Sequence, residues 1–498
     1  MHQLFVYNSL SRTREEFQPI HEGKIGMYVC GPTVYSDVHL GNCRTFTSFD
    51  VIYRFLKYMG YKVRYVRNIT DVGHLVGDAD TGAEDKISRK ARLDQLEPME
   101  VVQRYANGFQ EMMNIFNLLP PDIEPRATGH IIEQIEMIQS LLDRGYAYEK
   151  NGSVYFDTPK YISRDHEYGI LSGRVVEELM QESRDDLKGQ AEKNHSSDFA
   201  LWIKAEPTHL MRWPSPWSVG FPGWHLECSA MSTKYLGTHF DIHGGGTDLK
   251  FPHHENEIAQ NVGACGEAPA NYWLHTNMLL LNGRKMSKSE DNSVTPQQLF
   301  TGDSKHFSKG FSPMVVRFFM LQAHYRSTLD LTDEALIAAE KGYKRLMEVL
   351  KTLETLQAEN TGDLSDLDQE IVSLMDGVID DMADDFNTPK ALAKLFELTS
   401  KINALGGRQL DPKDLHKDTL MRLQTFFPSF IGEVLGLKDD SSDQDQQLVG
   451  GLMELIIELR KNAREHKDWG TADKIRDTLT ALSIQLKDGK DGTSWAKS

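Results

Sequence analysis

Lys285-Met286-Ser287-Lys288-Ser289 sets two lysines three residues apart among small hydroxyl side chains, shortly after Gly283. Such a segment makes a flexible cationic loop that can fold over a triphosphate and stabilise the charge that develops as pyrophosphate leaves. Far upstream, His39-Leu40-Gly41-Asn42 stands where a helix should begin. A helix N-terminus offers unpaired N–H groups and partial positive charge, which suits phosphate. Gly41 lets a nucleotide approach the backbone closely, and His39 can donate to a phosphate or ribose oxygen. Each motif alone also has a plainer reading, a capped structural helix for one and a solvated basic turn for the other.

A second chemistry is open to Cys30, Cys228, His253 and Glu257, whose donor types suit zinc. His253 and Glu257 are four apart behind Pro252, a residue suited to a first helical position, so both side chains share a helix face. Ile258 and Val262 give that helix a neighbouring apolar stripe. Spacing does not by itself select a metal site. The donors are scattered, no Cys-x-x-Cys pair occurs, and isolated cysteines are commonly small buried hydrophobes. Both readings stay open on the residues alone.

The elements that must position these groups read as α/β. Lys24 to Val29 alternates as a strand, and a Cys30-Gly31-Pro32-Thr33 turn follows. Phe46, Phe49, Tyr53 and Leu56 recur at helical spacing, Gly60 ends the helix, and Lys62 to Asn68 resumes as a strand. Strand, helix and strand of this length imply a parallel sheet with ligands at its carboxyl edge. Residues 97–200 read as a largely helical insertion, with Asp185 to Ser197 a surface loop. A second α/β portion runs from Trp213 to Asn282, with strands at His239–His243 and Met278–Asn282 and a helix starting near Pro252. Beyond residue 310 the pattern is helical. Thr388 reads as an N-cap before Pro389, with Leu392, Leu395, Phe396 and Ile402 on one face. Lys438 to Asp443 has no apolar residue and reads as a linker. A helical stretch from Leu452 to Leu479, interrupted at Gly470, follows.

At 498 residues the chain is too long for one compact core and divides into several domains. Its 40% hydrophobic and 26% charged residues are ordinary for a globular protein, and no apolar run reaches the ~18 residues of a membrane span. The start carries no signal-peptide pattern. Four cysteines make no disulfide framework at this length, which fits a reducing cytoplasm. The net charge of −18 does not decide for or against nucleic acid, because much of the excess acid lies in local runs such as Asp380–Asp385 and Asp439–Asp445.

In their order, the two nucleotide motifs resemble the paired His-Ile-Gly-His and Lys-Met-Ser-Lys-Ser elements of class I aminoacyl-tRNA synthetases. The second match is complete; in the first, Leu40 and Asn42 depart from the pattern. Asn42 can still donate through its amide but cannot carry a proton charge. Met27 to Tyr35, Val66 to Asp71, Cys228-Ser229-Ala230-Met231, Phe240 to Asp248 and Phe251 to Gln260 resemble the cysteinyl members of that class. The likeness runs from Phe5 to about Trp495 and is loosest in the insertion.

The resemblance implies a Rossmann-like parallel-sheet catalytic domain with a helical insertion, then an α-helical bundle and a small C-terminal tRNA-binding domain. It divides the chain into catalytic halves at 1–125 and 213–295, a connective insertion at 126–212, and a stem-contact region at 296–345. A bundle at 346–437, a linker at 438–449 and an anticodon-binding region at 450–498 follow. It implies that Cys30, Cys228, His253 and Glu257 hold one zinc ion at the floor of the amino-acid pocket. Gly31, Thr70, Trp224 and His243 would line the cysteine site. His39, Gly41, Asn42, Gly246, Asp248, Lys285 and Lys288 would handle ATP, with magnesium carried by the nucleotide. The implied partners are ATP, L-cysteine and tRNA(Cys), with no membrane, and the implied state is a monomer. Arg460, Lys461, Arg464 and Trp469 are candidates for RNA contact, with Lys467, Lys474 and Arg476 beside them. A serine differs from cysteine by one atom, and pocket shape alone rejects such an isostere only ~100-fold. A thiolate-seeking metal would turn that small difference into a bonding difference. Rival readings are a ligase joining cysteine to an amino sugar, a non-catalytic relative, and a zinc hydrolase. The long helical extension opposes the first, and the complete lysine motif opposes the other two.

Overall fold

The computed structural model describes residues 2–72, 87, 90–91, 96–174, 193–207, 209–286, 292–482, 484–489 and 492–497. Lys288 and residues 185–192 of the expected surface loop therefore lie outside the described residues. The chain forms two compact units, Met1–Leu437 and Lys438–Ser498.

The first unit is built on a four-stranded parallel sheet. In chain order its strands and covering helices are β1 (Lys24–Val29), α1 (Leu40–Tyr58), β2 (Lys62–Arg67), α2 (Trp224–Leu236), β3 (Phe240–Gly246), α3 (His253–Cys265) and β4 (Ala270–Thr276). The strand order is β4-β3-β1-β2. β1 and β2 run in register from Lys24 beside Lys62 to Val29 beside Arg67, and β3 pairs on the other side of β1 with His243 beside Tyr28. Met27, Tyr28, Val29, Val66 and Ile242 are buried, as a sheet covered on both faces requires. α1 buries Phe46, Phe49, Tyr53, Phe55 and Leu56, and Gly60, at φ 91°, turns the chain back toward β2. The first β-α-β unit is thus formed where the alternation and the helical spacing predict it.

The insertion departs from the largely helical expectation. It carries helices at Pro98–Ile115 and Ile131–Asp143 and three strands of a five-stranded antiparallel sheet, whose other two, Trp213–Pro214 and Val219–Pro222, lie in the stretch expected to open the second α/β portion. Ala147–Lys150 and Ser153–Phe156 form a hairpin whose two-residue loop is Asn151-Gly152, at φ 56° and 87°. Asn-Gly is the pair such a turn favours, and its signal is present in the sequence. The four-residue strands are too short to show periodicity beside long helical runs.

Beyond β4, strand β5 (Leu279–Leu281) pairs antiparallel with β6 (Arg284–Lys285) and parallel with Leu329–Leu331. Helices at Asp333–Thr355, Asp366–Ala383, Thr388–Gly406 and Lys417–Ser429 follow and pack as a helical region. The cap of the third lies one residue earlier than Thr388, because Asn387 accepts from the Lys390 N–H.

In the second unit, a helix already runs from Ser441 to Glu465, so residues 441–449 are helical and not an extended linker. An acidic, serine-rich start suits the positive end of a helix, so a stretch without apolar residues need not be a linker. The interruption expected at Gly470 falls at His466–Asp468. Lys467 turns to φ 59°, and Asp468 caps a second helix, Trp469–Ala481. A hairpin of Ile484–Gly489 with Gly492–Lys497 completes the unit. No helix among the described residues is long and apolar enough to cross a membrane.

Candidate active site

Cys30 follows the end of β1, Cys228 lies one turn into α2, and His253 and Glu257 share the first turns of α3. One donor atom of each falls within 4.8 Å of the others, and all four residues are buried. The Sγ atoms stand 3.8 Å apart, Cys30 Sγ is 3.6 Å from Glu257 Oε1, and His253 Nε2 is 3.2 Å from the same oxygen. Two thiolates on one tetrahedral zinc at ~2.3 Å stand about 3.8 Å apart, and nitrogen and oxygen donors at ~2.1 Å stand about 3.4 Å apart. The spacing fits one such ion.

The donor chemistry makes the same demand. Burial pushes the Cys30 thiol far above its usual range, and its hydrogen bond to Cys228 and the Glu257 charge add to this. Burial likewise lifts Cys228 to about 11. Buried anions crowded together are costly without a cation, and a divalent ion reverses the preference and favours thiolate.

A second grouping, Cys30, His243, His254 and Glu257, also converges. There, His243 Nε2 is 2.8 Å from Glu257 Oε2, which is a hydrogen-bond length and too close for two donors on one ion. His243 therefore reads as a support that orients Glu257. Its ring stacks on Trp273 at 4.4 Å, and its Nδ1 is buried without a hydrogen-bond partner among the described residues.

Sequence reasoning passed over three further histidines and a glutamate. His225 Nδ1 is 3.0 Å from His253 Nδ1, which leaves His253 Nε2 to face the thiols. His254 Nε2 is 3.3 Å from Cys30 Sγ, and its Nδ1 is 2.9 Å from His275 Nε2. Burial, then neighbouring histidines, depress His254 well below the usual range, so its ring is neutral. Glu227 accepts a 2.5 Å hydrogen bond from Thr70 Oγ1, and burial raises its carboxyl far above the ordinary value. The available signals were the His253-His254 pair and the adjacency of His225 and Glu227 to Cys228.

Gly31 donates its N–H to Asn68 Oδ1 at 2.8 Å, and a Cβ there would lie 1.6 Å from the Asn68 carbonyl oxygen. Only glycine fits this close approach of β1 and β2. Asn68 also donates to Thr70 Oγ1 at 3.1 Å. Gly31, Trp224, His39, Asn42, Gly246 and Asp248 line one cavity of about 260 Å³ that Cys30 also borders. Neither Thr70 nor His243 is among that cavity's lining: Thr70 is buried against Glu227, and His243 stands behind Glu257.

A neighbouring cavity of about 320 Å³ is lined by His39, Gly41, Asn42, Gly246, Asp248 and Lys285. Both nucleotide motifs thus border one space at the sheet's carboxyl edge. His39 caps α1 by accepting from the Asn42 N–H at 3.2 Å, while Asn42 Oδ1 accepts from the His39 N–H at 3.4 Å. Asn42 therefore completes a reciprocal cap, a task its amide performs without a proton charge. The four RNA candidates lie in the second unit, where Lys461 and Arg464 are exposed and the Trp469 ring is 58% exposed. Cys43 is buried in the core and Cys265 is half-buried.

Residues 16–341 match the family described as tRNA synthetases class I (C) catalytic domain, and residues 377–438 match the DALR domain. A cysteine–tRNA ligase of Bacteroides fragilis is 52% identical over 498 residues, spanning 99% of both chains. Another, of Deinococcus radiodurans, is 48% identical over 499 residues, covering 99% of this chain and 96% of its own. Among solved structures, Mycobacterium tuberculosis methionyl-tRNA synthetase in complex with methionyl-adenylate aligns with a TM-score of 0.57 at 16% identity, covering 82% of this chain and 89% of that one. That likeness concerns the fold alone. Identity near one half along the whole length, together with a catalytic-domain match over the segment that holds the thiols and both nucleotide motifs, makes this chain a member of the cysteine–tRNA ligase family of class I synthetases.

Proposed function

We propose that the chain activates L-cysteine with ATP and transfers it to the 3′ end of tRNA(Cys), reading the amino acid through its thiolate. Cys30, Cys228, His253 and Glu257 would hold a zinc ion, which when bound supplies a soft Lewis acid that accepts a thiolate and discriminates against a hydroxyl. The observation that carries this reading is the approach of those four donors to within 4.8 Å of one another beside the ATP motifs.

The rest falls to the chain's own side chains. Gly31, Thr70 and Trp224 shape the amino-acid pocket, and His243 orients Glu257 from behind. ATP enters with its magnesium, its adenosine beside Gly246 and Asp248 and its phosphates at the N-terminus of α1. The cysteine carboxylate attacks the α-phosphorus, forming a C–O–P linkage as the bond to pyrophosphate breaks. His39, Lys285 and Lys288 stabilise the charge gathering on pyrophosphate. The ribose hydroxyl of the tRNA terminus then takes the cysteinyl group and AMP departs. Catalysis rests on placement and electrostatics, with no protein nucleophile. Arg460, Lys461, Arg464 and Trp469 would meet the RNA in the second unit, and the protein would act as a cytoplasmic monomer. The finer division at residues 125, 212, 295, 345 and 437 belongs to the same proposal.

Cysteine-dependent ATP–pyrophosphate exchange on the zinc-loaded protein, with serine as the control, tests it. Exchange with cysteine and not serine is expected. Equal exchange with both would remove the thiolate reading, and none with either would remove activation.

A further inference from the structure

We infer that Arg44, which belongs to neither nucleotide motif, is a positioning residue for activation: it fixes the helix that opens at His39 against the strand that leads into the lysine loop. This rests on the activation chemistry proposed above.

Arg44 lies one turn into α1 and is 1% exposed. Among the described residues no carboxylate pairs with its guanidinium. Its donors go instead to main-chain carbonyls, with Nη1 on Met278 O at 2.5 Å and Nη2 on Ser327 O and, at 3.4 Å, on His324 O. Burial lowers its pKa to about 10. A buried charge satisfied only by carbonyls is costly, and an apolar side chain of similar volume would fill the space without that cost. Packing therefore does not account for an arginine here. A rigid planar fork that must grip separate chain segments does.

The gripped segments border the nucleotide site. Met278 directly precedes β5, whose antiparallel partner β6 carries Lys285. His39, Asn42 and Thr45 on one side, and Met278, Leu279 and Lys285 on the other, enclose the cavity where both motifs meet. A second tie joins the same two sides, because Thr276 Oγ1 and Thr45 Oγ1 are 3.0 Å apart. Residues 324–327 are themselves held from two directions. Asn277 bonds the Tyr325 and Arg326 carbonyls, and Asp385 accepts 2.7 Å hydrogen bonds from Tyr325 Oη and Arg326 Nε. Arg44 is thus the point where α1, the base of the lysine loop and this braced turn meet. None of the three carbonyls belongs to the thiol cluster, so its loss should disturb the phosphate end of the site and spare the amino-acid end.

The test compares Arg44→Ala and Arg44→Lys in cysteine-dependent ATP–pyrophosphate exchange by the zinc-loaded full-length protein. A misplacement near 1 Å is enough to lower kcat about 100-fold in Arg44→Ala, with the cysteine KM held within about twofold. Free guanidinium ion should restore part of that loss and leave the wild type unaffected. Arg44→Lys keeps the charge but lacks the fork, and should share the defect in kcat. Wild-type kcat in either folded variant, a loss appearing equally in the cysteine KM, or no response to guanidinium would overturn the inference. Should Arg44→Ala fail to fold by circular dichroism, Arg44→Lys alone decides by the same split of kcat from KM. Absence of exchange in the wild type is a separate outcome that removes the activation reading itself.

Discussion

His243 Nε2 donates to Oε2 of Glu257 at 2.8 Å, while the other oxygen of that carboxylate faces His253 and Cys30. The carboxylate is therefore aimed from behind, and the histidine fixes which oxygen turns toward the thiols. Supports of this kind typically contribute 10–100-fold to metal affinity. His243→Ala should lower zinc affinity by about that factor in chelator competition. Unchanged retention of zinc would show that the carboxylate is held by other means.

The thiols predict how metal uptake depends on pH. With Cys30 raised far above the usual range and Cys228 at about 11, both are protonated in the metal-free protein at neutral pH. Binding as thiolates must release those protons, so affinity should climb as pH rises, by about 100-fold per pH unit for two protons. Titration calorimetry in buffers of different ionisation enthalpy counts them. Release of clearly fewer than two protons would mean that the thiols are not both ligands.

Glu227 is buried and hydrogen-bonded to Thr70, and burial raises its carboxyl far above the ordinary value, which favours the protonated form. Glu227→Gln should then leave unfolding stability within about 0.5 kcal/mol, whereas Glu227→Ala, which strands the Thr70 hydroxyl, should cost about 1–3 kcal/mol. Denaturant melts distinguish them. Equal damage from both would indicate a charged Glu227.

His324 carries a stability term of defined sign. Burial lowers its pKa below 6.5, against the opposing pull of Asp385. The unfolded chain takes up a proton at a pH where the folded chain resists it. The contribution is therefore complete above about pH 6.5 and is lost as pH falls through the depressed folded value. Unfolding free energy measured at about pH 7.5 and 5.5 should differ less in His324→Gln than in the wild type. An identical difference in both proteins would assign the acid sensitivity elsewhere.

Legibility of the sequence followed burial. β1 was readable to its end residues because Ile25, Met27 and Val29 recur at a period of two and mark a strand. α1 was readable from its aromatic spacing and the glycine behind it. The four donors could be listed from their types, and His253 and Glu257 from their i, i+4 spacing, but choosing the metal reading needed the family likeness, since the set comes from three separate places in the chain. His225, His254, His275 and Glu227 were missed for the opposite reason. A polar residue in a sequence suggests solvent, yet these are buried, held by hydrogen bonds to groups distant in the chain such as Thr70 for Glu227 and Ser9 for His275. Asn42 looked like a defect in a motif, and the reciprocal cap with His39 shows what an amide does there.

The two thiols lie 198 positions apart in the chain. A growing polypeptide carries Cys30 out of the ribosome early, but the helix bearing His253 and Glu257 emerges only after the whole insertion. Until then the first thiol has no partners and cannot hold an ion as a set of four would. Joining donors so distant removes much freedom from the unfolded chain, and a bound ion would restrict a long loop of the unit. Completion of the amino-acid pocket thereby marks completion of the surrounding domain. Fragments ending before residue 253 should remain blind to the metal however well their first β-α-β unit folds.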